Sequence, residues 1–332
     1  MRRAKTLITT AVASVLLAAC GLQPASQYIP DVEPGAELDN IGSLEGAEVV
    51  TTSKEFTEQL LLGKMLSLVL SAKGATVIDR TNTKGSRNVR ESMLRGDSDL
   101  SWEYTGTAWI NYMGHDSPDS DGNFDGVDVA DGQALYEAVL DEDMSQNDIY
   151  WSKPAPFNNT YAIAVKKDYA KKYGIETLAD VTKVPVDERN FCLENEFSKR
   201  ADGWSAMLNT YDLTEEIPKD QVTVMDSGVI YSQIGVSCEF GEVFDTDGRI
   251  LTNDLVTLDD DGGAFPIYNP SLTVREEIHD QYPQISQIFV EIGDRLDTDT
   301  MRDLNRRVDM DGETPVNVAQ DWLTKEGFLK KP

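Results

Sequence analysis

The sequence predicts a two-lobed α/β protein, and three observations carry that reading. A chain of 332 residues is long enough for about two domains of ordinary size. Strand-like and helix-like stretches alternate from residue 49 to residue 102, the order that builds a mostly parallel sheet with right-handed crossovers. A second such cycle begins after Pro154 and Pro156 and runs to about residue 263. The charge balance narrows the function before any motif is read. With 58 Asp and Glu against 30 Lys and Arg, the formal charge of −28 repels phosphate backbones and anionic headgroups. Nucleic-acid binding and polybasic membrane docking are therefore excluded.

Taken in order, Val49 and Val50 open a strand, and Leu60, Leu61, Met65, Leu66 and Val69 mark a long apolar helix ended by Gly74. Residues 75–78 read as a strand. Ser86 is expected to cap a helix carrying Val89, Met93 and Leu94, which Gly96 stops, and a strand follows over 98–102. Helix resumes over 133–140. In the second cycle, strands are expected at 161–165, 190–193, 222–225, 238–244 and 255–258. Helices are expected at 168–173, 202–211 and from 226. From Ala264 onward the chain reads as helical, over 274–282, 285–296, 300–308 and 316–327. Such a tail lacks strands for a third lobe, so it is expected to return to the first.

The first residues belong to a different category. Arg2, Arg3 and Lys5 precede an apolar run from Leu7 to Ala19, too short at about 1.5 Å per residue to span ~30 Å of hydrocarbon. This is the layout of a secretion signal over 1–19. Leu17, Ala18, Ala19 and Cys20, followed by Gly21, resemble a bacterial lipobox, in which cleavage precedes the cysteine and lipid is attached to its sulfur. Residues 20–45, with Pro24, Pro30, Pro34 and Gly35, then read as a flexible tether. Outside the reducing cytosol Cys192 and Cys238 are expected to pair as a disulfide, two separate buried thiols being the alternative.

Catalytic signatures are missing. His115 and His279 are the only histidines and neither sits in a catalytic motif, and no G-x-S-x-G, Walker or H-E-x-x-H pattern occurs. Asp121, Asn123 and Asp125 with Gly126 match the first half of an EF-hand loop, but Gly132 stands where the bidentate Glu belongs. A solvated acidic loop is expected there, and no metal or cofactor. An exported, tethered, two-lobed α/β chain of this kind reads as a solute receptor.

Ser53-Lys54-Glu55-Phe56-Thr57-Glu58-Gln59 and Glu103-Tyr104-Thr105-Gly106-Thr107 resemble the substrate-binding lipoproteins of osmoprotectant ABC importers, the glycine betaine/carnitine/choline-binding family. Asn159-Thr160-Tyr161, Arg200-Ala201-Asp202-Gly203, Asp226-Ser227-Gly228, Asp245-Thr246-Asp247-Gly248-Arg249 and Phe265-Pro266-Ile267-Tyr268-Asn269 continue the resemblance in the family's order. It implies a periplasmic-binding-protein-like fold of type II with the ligand cleft between the lobes. It also implies an aromatic box for a quaternary ammonium ion, with Tyr104 and Tyr268 from the first lobe and Tyr161 and Phe244 from the second. Phe244 departs from the family, where Tyr is usual: the ring face survives and the hydroxyl does not. The physics of such a box is sound, since a trimethylammonium group has no N–H to donate and aromatic faces attract it by about 0.5–2 kcal/mol each.

For a ligand carboxylate the resemblance assigns Lys54, Thr107 and Arg200, with Gln59 and Asn159 as further polar contacts. Two cations suit a zwitterion better than choline, so glycine betaine is favoured, with carnitine, choline or another small solute as alternatives. The implied partners are an ABC permease and its ATPase, and the implied setting is the outer face of a bacterial cytoplasmic membrane, with the receptor held there as a monomer by its lipid. Lobe I is expected over 46–155 plus 264–332, lobe II over 156–263, with hinge strands near 150–156 and 261–266. The rival readings are a calcium-dependent acidic surface adhesin and a secreted carboxylate hydrolase.

Overall fold

The structure, a computed structural model, describes residues 29–115 and 124–331. The leader, Cys20, and Asp121 and Asn123 of the acidic loop lie outside the described residues. Four strands, β1 (Glu48–Thr52), β2 (Thr76–Arg80), β3 (Leu100–Tyr104) and β4 (Ile149–Trp151), precede the second lobe. That lobe holds β5 (Tyr161–Lys166), β6 (Phe191–Leu193), β7 (Val222–Val224), β8 (Phe240–Phe244) and β9 (Leu255–Thr257), and β10 (Pro270–Arg275) returns to the first. The two sheets run β2-β1-β3-β10-β4 and β7-β6-β8-β5-β9. In each, four strands share one direction, and the strand arriving from the other lobe, β10 or β5, runs antiparallel between the third and fourth. Among the described residues the chain crosses between sheets twice, over 152–160 and 258–269, and these crossings overlap the stretches expected to hinge.

Helix α1 (Thr57–Ala72) is buried along most of its length, and its polar members Glu58, Gln59, Lys64 and Ser67 are buried with hydrogen-bond partners. One flank lies on the first sheet and another meets helices late in the chain, α11 (Thr298–Asp309) and α12 (Pro315–Lys325). Between these two stand α2 (Ser86–Leu94), α3 (Thr105–Thr107), α4 (Gly132–Asn147), α5 (Lys167–Tyr173), α6 (Trp204–Thr210), α7 (Ser227–Gln233), α8 (Arg249–Thr252), α9 (Glu276–Gln281) and α10 (Gln284–Gly293). Leu61, Leu66, Trp102, Phe289, Met301, Leu304, Val318 and Leu323 share one core, so the late helices belong to the first lobe's packing. Each such side chain contributes about 1.5–3 kcal/mol on burial.

Several sequence expectations are corrected. Residues 270–275 form a strand where helix was expected from 274, and α9 begins only at Glu276. A short β-branched run such as Ser271, Leu272, Thr273 and Val274 is ambiguous by periodicity, and hydrogen-bonded neighbours on both sides decide it. The same competition makes a three-residue strand of 149–151. Ser86 does not cap α2: it is the first helical residue, preceded by Gly85 at φ 82°. Residues 34–45 do not behave as the tether expected there. Leu38 and Leu44 are fully buried, Ile41 nearly so, and the Gly35 N–H donates to the Phe328 carbonyl, so residues 34–45 are packed onto the first lobe despite their prolines. Cys192 and Cys238 form a disulfide with Sγ–Sγ 2.00 Å. Among the described residues no helix is long and apolar enough to cross a membrane.

Candidate functional site

Both sheets present strand ends to a cleft, and the residues at and beyond those ends build its walls. Strand β3 ends at Tyr104 and turns at once into α3, which places Tyr104 and Thr107 on the rim. Gly106 is required there: a Cβ would lie 2.7 Å from the Ile267 carbonyl oxygen and 3.1 Å from the Tyr268 ring. From the second lobe, Tyr161 opens β5 and Phe244 closes β8, and the two are register partners in adjacent antiparallel strands. The cavity so formed is about 90 Å³, room for a few waters or one small solute.

Eight residues expected from the sequence line it: Lys54, Tyr104, Thr107, Asn159, Tyr161, Arg200, Phe244 and Tyr268. Gln59 does not. It is fully buried behind the wall, its Oε1 accepting from the Lys54 backbone N–H at 3.4 Å. Phe56 was missed, and it joins the rings into one series. It stacks on Phe244 at 5.5 Å and on Tyr104 at 6.3 Å, while Tyr161 lies 5.6 Å from Phe244 and meets Tyr268 edge to face at 5.4 Å. Its sequence signal was an aromatic immediately before the first turn of a helix, which reads equally well as a packing residue.

Behind the rings stand two buried carboxylates, Glu58 and Asp202, which lie in segments that carry the family resemblance but were given no role there. Glu58 accepts hydrogen bonds from the Tyr104 hydroxyl at 2.7 Å, Asn159 Nδ2 at 2.8 Å and Thr246 Oγ1 at 2.6 Å. Burial outweighs these bonds and holds Glu58 above the ordinary carboxylate range. Asp202 accepts from the Tyr268 hydroxyl at 2.8 Å and Asn111 Nδ2 at 3.0 Å. Burial would raise it, but the Arg200 charge and these hydrogen bonds prevail and hold it below the ordinary range. A phenol donating to a carboxylate is more electron-rich, so both pairs strengthen the ring faces as cation acceptors. Burial, reinforced by Glu58 at Tyr104 and by Asp202 at Tyr268, pushes both phenols well above their usual range, so they stay neutral.

The two cations are not free. Lys54 Nζ lies 2.6 Å from Glu103 Oε1 and 4.9 Å from the Tyr104 ring centroid. Arg200 meets Asp202 at 2.5 Å and 2.8 Å, reaches Thr107 Oγ1 at 3.3 Å, and stands 5.5 Å from the Tyr161 ring. These pairs cancel charges that would otherwise repel a methylated cation. Glu194 and Glu196 add carboxylates to the lining that the sequence reading did not include. Elsewhere, Asp125 of the acidic loop is engaged with His115, whose other ring nitrogen lies 2.8 Å from Glu142.

Residues 47–325 match the model of a protein family described as the substrate binding domain of ABC-type glycine betaine transport systems. The chain is 33% identical over 285 residues to the glycine-betaine-binding protein of Pseudomonas aeruginosa, covering 83% of this chain and 87% of that one. It is 28% identical to the carnitine transport binding protein OpuCC of Listeria monocytogenes, covering 82% and 85%. Among solved structures it is similar to apo YehZ from Escherichia coli, with TM-score 0.62 and 30% identity over 85% of this chain and 100% of that one.

Proposed function

The chain belongs to the family of substrate-binding domains of ABC-type glycine betaine transport systems, and from that premise we propose that its aromatic cleft receives a quaternary ammonium solute. As a member of that family it is an extracytoplasmic receptor, not an enzyme, which binds a small ligand and delivers it to a permease. The observation that carries the ligand class is the series Tyr104, Phe56, Phe244, Tyr161, Tyr268, with hydroxyls of its two outer tyrosines held by buried carboxylates. Rings from both lobes surround the cavity, so a cation completes its contacts only when the lobes close, and its differential contacts favour that state. The lobes in this reading are 46–155 with 264–332, and 156–263. The mature chain begins at a lipidated Cys20, stays at the membrane face and acts as a monomer. Glycine betaine is the first ligand to test, with carnitine and choline beside it.

Phe244→Ala tests the cage cleanly, because this ring is half-buried and carries no hydroxyl network. Loss of one cation–π contact of about 0.5–2 kcal/mol weakens binding roughly 2- to 30-fold in calorimetry, with the melting temperature of the free protein little changed. Unchanged affinity, or wild-type protein that binds no methylated ammonium compound, would overturn the reading.

A further inference from the structure

Lys54 and Arg200 line the same cavity, which holds a further carboxylate, Glu196, beyond the ones their ion pairs need. Lys54 is matched by Glu103 and Arg200 by Asp202, both at hydrogen-bond distance and all four side chains nearly inaccessible. Glu196 then stands beside Arg200 from the second lobe, its Oε1 3.3 Å from Arg200 Nη1, and it lines the cavity with Lys54. Its turn is fixed: Glu194 Oε2 accepts from the backbone N–H of Glu196 at 2.5 Å and of Phe197 at 3.2 Å. Burial would raise Glu196, but the charges of Lys54 and Arg200 and hydrogen bonds from Ser86 and Arg200 outweigh it and hold it below the ordinary range. Ser86 is the first residue of α2 on the opposite lobe, so Glu196 reaches across the cleft.

A lysine, an arginine fork and a hydroxyl at a helix start are the donors a ligand carboxylate would seek. We propose that Glu196 holds the position of that ligand carboxylate and thereby sets the discrimination between zwitterionic betaines and plain quaternary ammonium cations. The inference rests on the quaternary ammonium reading above. A betaine must displace Glu196 or endure its charge at short range, whereas choline leaves the ion-pair arrangement intact. Displacement is feasible, since the Glu196 side chain is 37% exposed while its Arg200 partner is 7% exposed.

The test is calorimetric titration of the mature chain with choline and with glycine betaine, in wild type, Glu196→Gln and Glu196→Ala, with melting curves confirming that each variant folds. In both variants affinity for glycine betaine relative to choline rises about tenfold, the scale of one charged hydrogen bond. A ratio that stays within about twofold of wild type, or moves the other way, overturns the proposal and leaves Glu196 as a lobe-to-lobe contact only. Phe244→Ala separates the two levels, because it weakens both ligands and leaves their ratio alone. If neither ligand titrates wild-type protein, the receptor reading itself fails and this inference falls with it.

Discussion

Glu242 shows at the scale of one residue how a buried acid ties stability to pH. It lies on β8 at 1% exposure, with Oε2 accepting from the Glu194 backbone N–H at 3.2 Å and Oε1 without a partner among the described residues. Burial, then the charge of Glu194, pushes it from 4.5 up to about 8. Between those values the folded protein holds a proton that the unfolded chain has released, so stability is fully present below about pH 4.5 and is lost as pH rises through about 8. At about 1.4 kcal/mol per pKa unit the loss is of order 5 kcal/mol, shared with Glu194, which is also raised. Urea unfolding of Glu242→Gln should therefore show a flatter stability profile between about pH 5 and pH 8.5 than wild type, with the gain at the alkaline end. Equal slopes in the two proteins would refute the assignment. Glu242 was illegible in the sequence, and Glu58 sat in a resembling segment without a role, for a plain reason: in a chain with 58 acidic residues, nothing local separates a buried carboxylate from a solvated one.

At the scale of elements, legibility followed how strongly local pattern agreed with tertiary environment. Helix α1, strands β1 and β5 and the glycines that end helices were readable, because period, caps and β-branching pointed one way. Strands β4 and β10 were not, since their pairing is with segments far away in the chain. The tether failed for the converse reason: Pro30, Pro34 and Gly35 signal a linker, while Leu38, Ile41 and Leu44 anchor it in the core. The disulfide is an element-scale constraint as well. Cys192 lies in β6 and Cys238 two residues before β8, its parallel neighbour, so the bond closes a segment of sequence separation 46. Chain entropy for such a loop gives about 4 kcal/mol. The Cys192→Ala, Cys238→Ala double variant should unfold at correspondingly lower denaturant than the oxidised protein. Adding reductant should lower the wild type toward it and leave the variant unmoved. Coincident unfolding curves for the two proteins would show that the cross-link adds no stability.

For the whole molecule, the question is what holds the lobes together besides a ligand. The segment Asp245–Arg249 carried the family resemblance without an assigned role, and the structure gives it one: it grips α11 of the opposite lobe. Arg302 Nε donates to the Asp245 carbonyl at 3.0 Å, Asn305 Nδ2 to the Thr246 carbonyl at 3.0 Å, and Arg249 Nε lies 3.8 Å from Asp309 Oδ2. Gly248 allows the approach, since a Cβ there would fall 2.7 Å from Arg306 Cβ. None of these residues lines the aromatic cavity, although Thr246 and Asn305 also reach Glu58 behind it, so the Arg302–Asp245 part of the clasp biases the closed state equally whatever the cleft holds. Weakening it lowers the fraction of competent protein, and apparent affinity falls by that fraction for every ligand alike. The variant Arg302→Ala, which loses both bonds to Asp245 and leaves Glu58 untouched, should thus bind choline and glycine betaine several-fold more weakly, by about the same factor. Small-angle scattering should show a larger radius of gyration without ligand and the wild-type value at saturation. That signature differs from Glu196→Gln, which changes the ratio, and from Phe244→Ala, which weakens binding without opening the free protein. If scattering of the ligand-free variant matches wild type while affinity falls, the clasp does not govern closure and α11 acts on the cleft by another route.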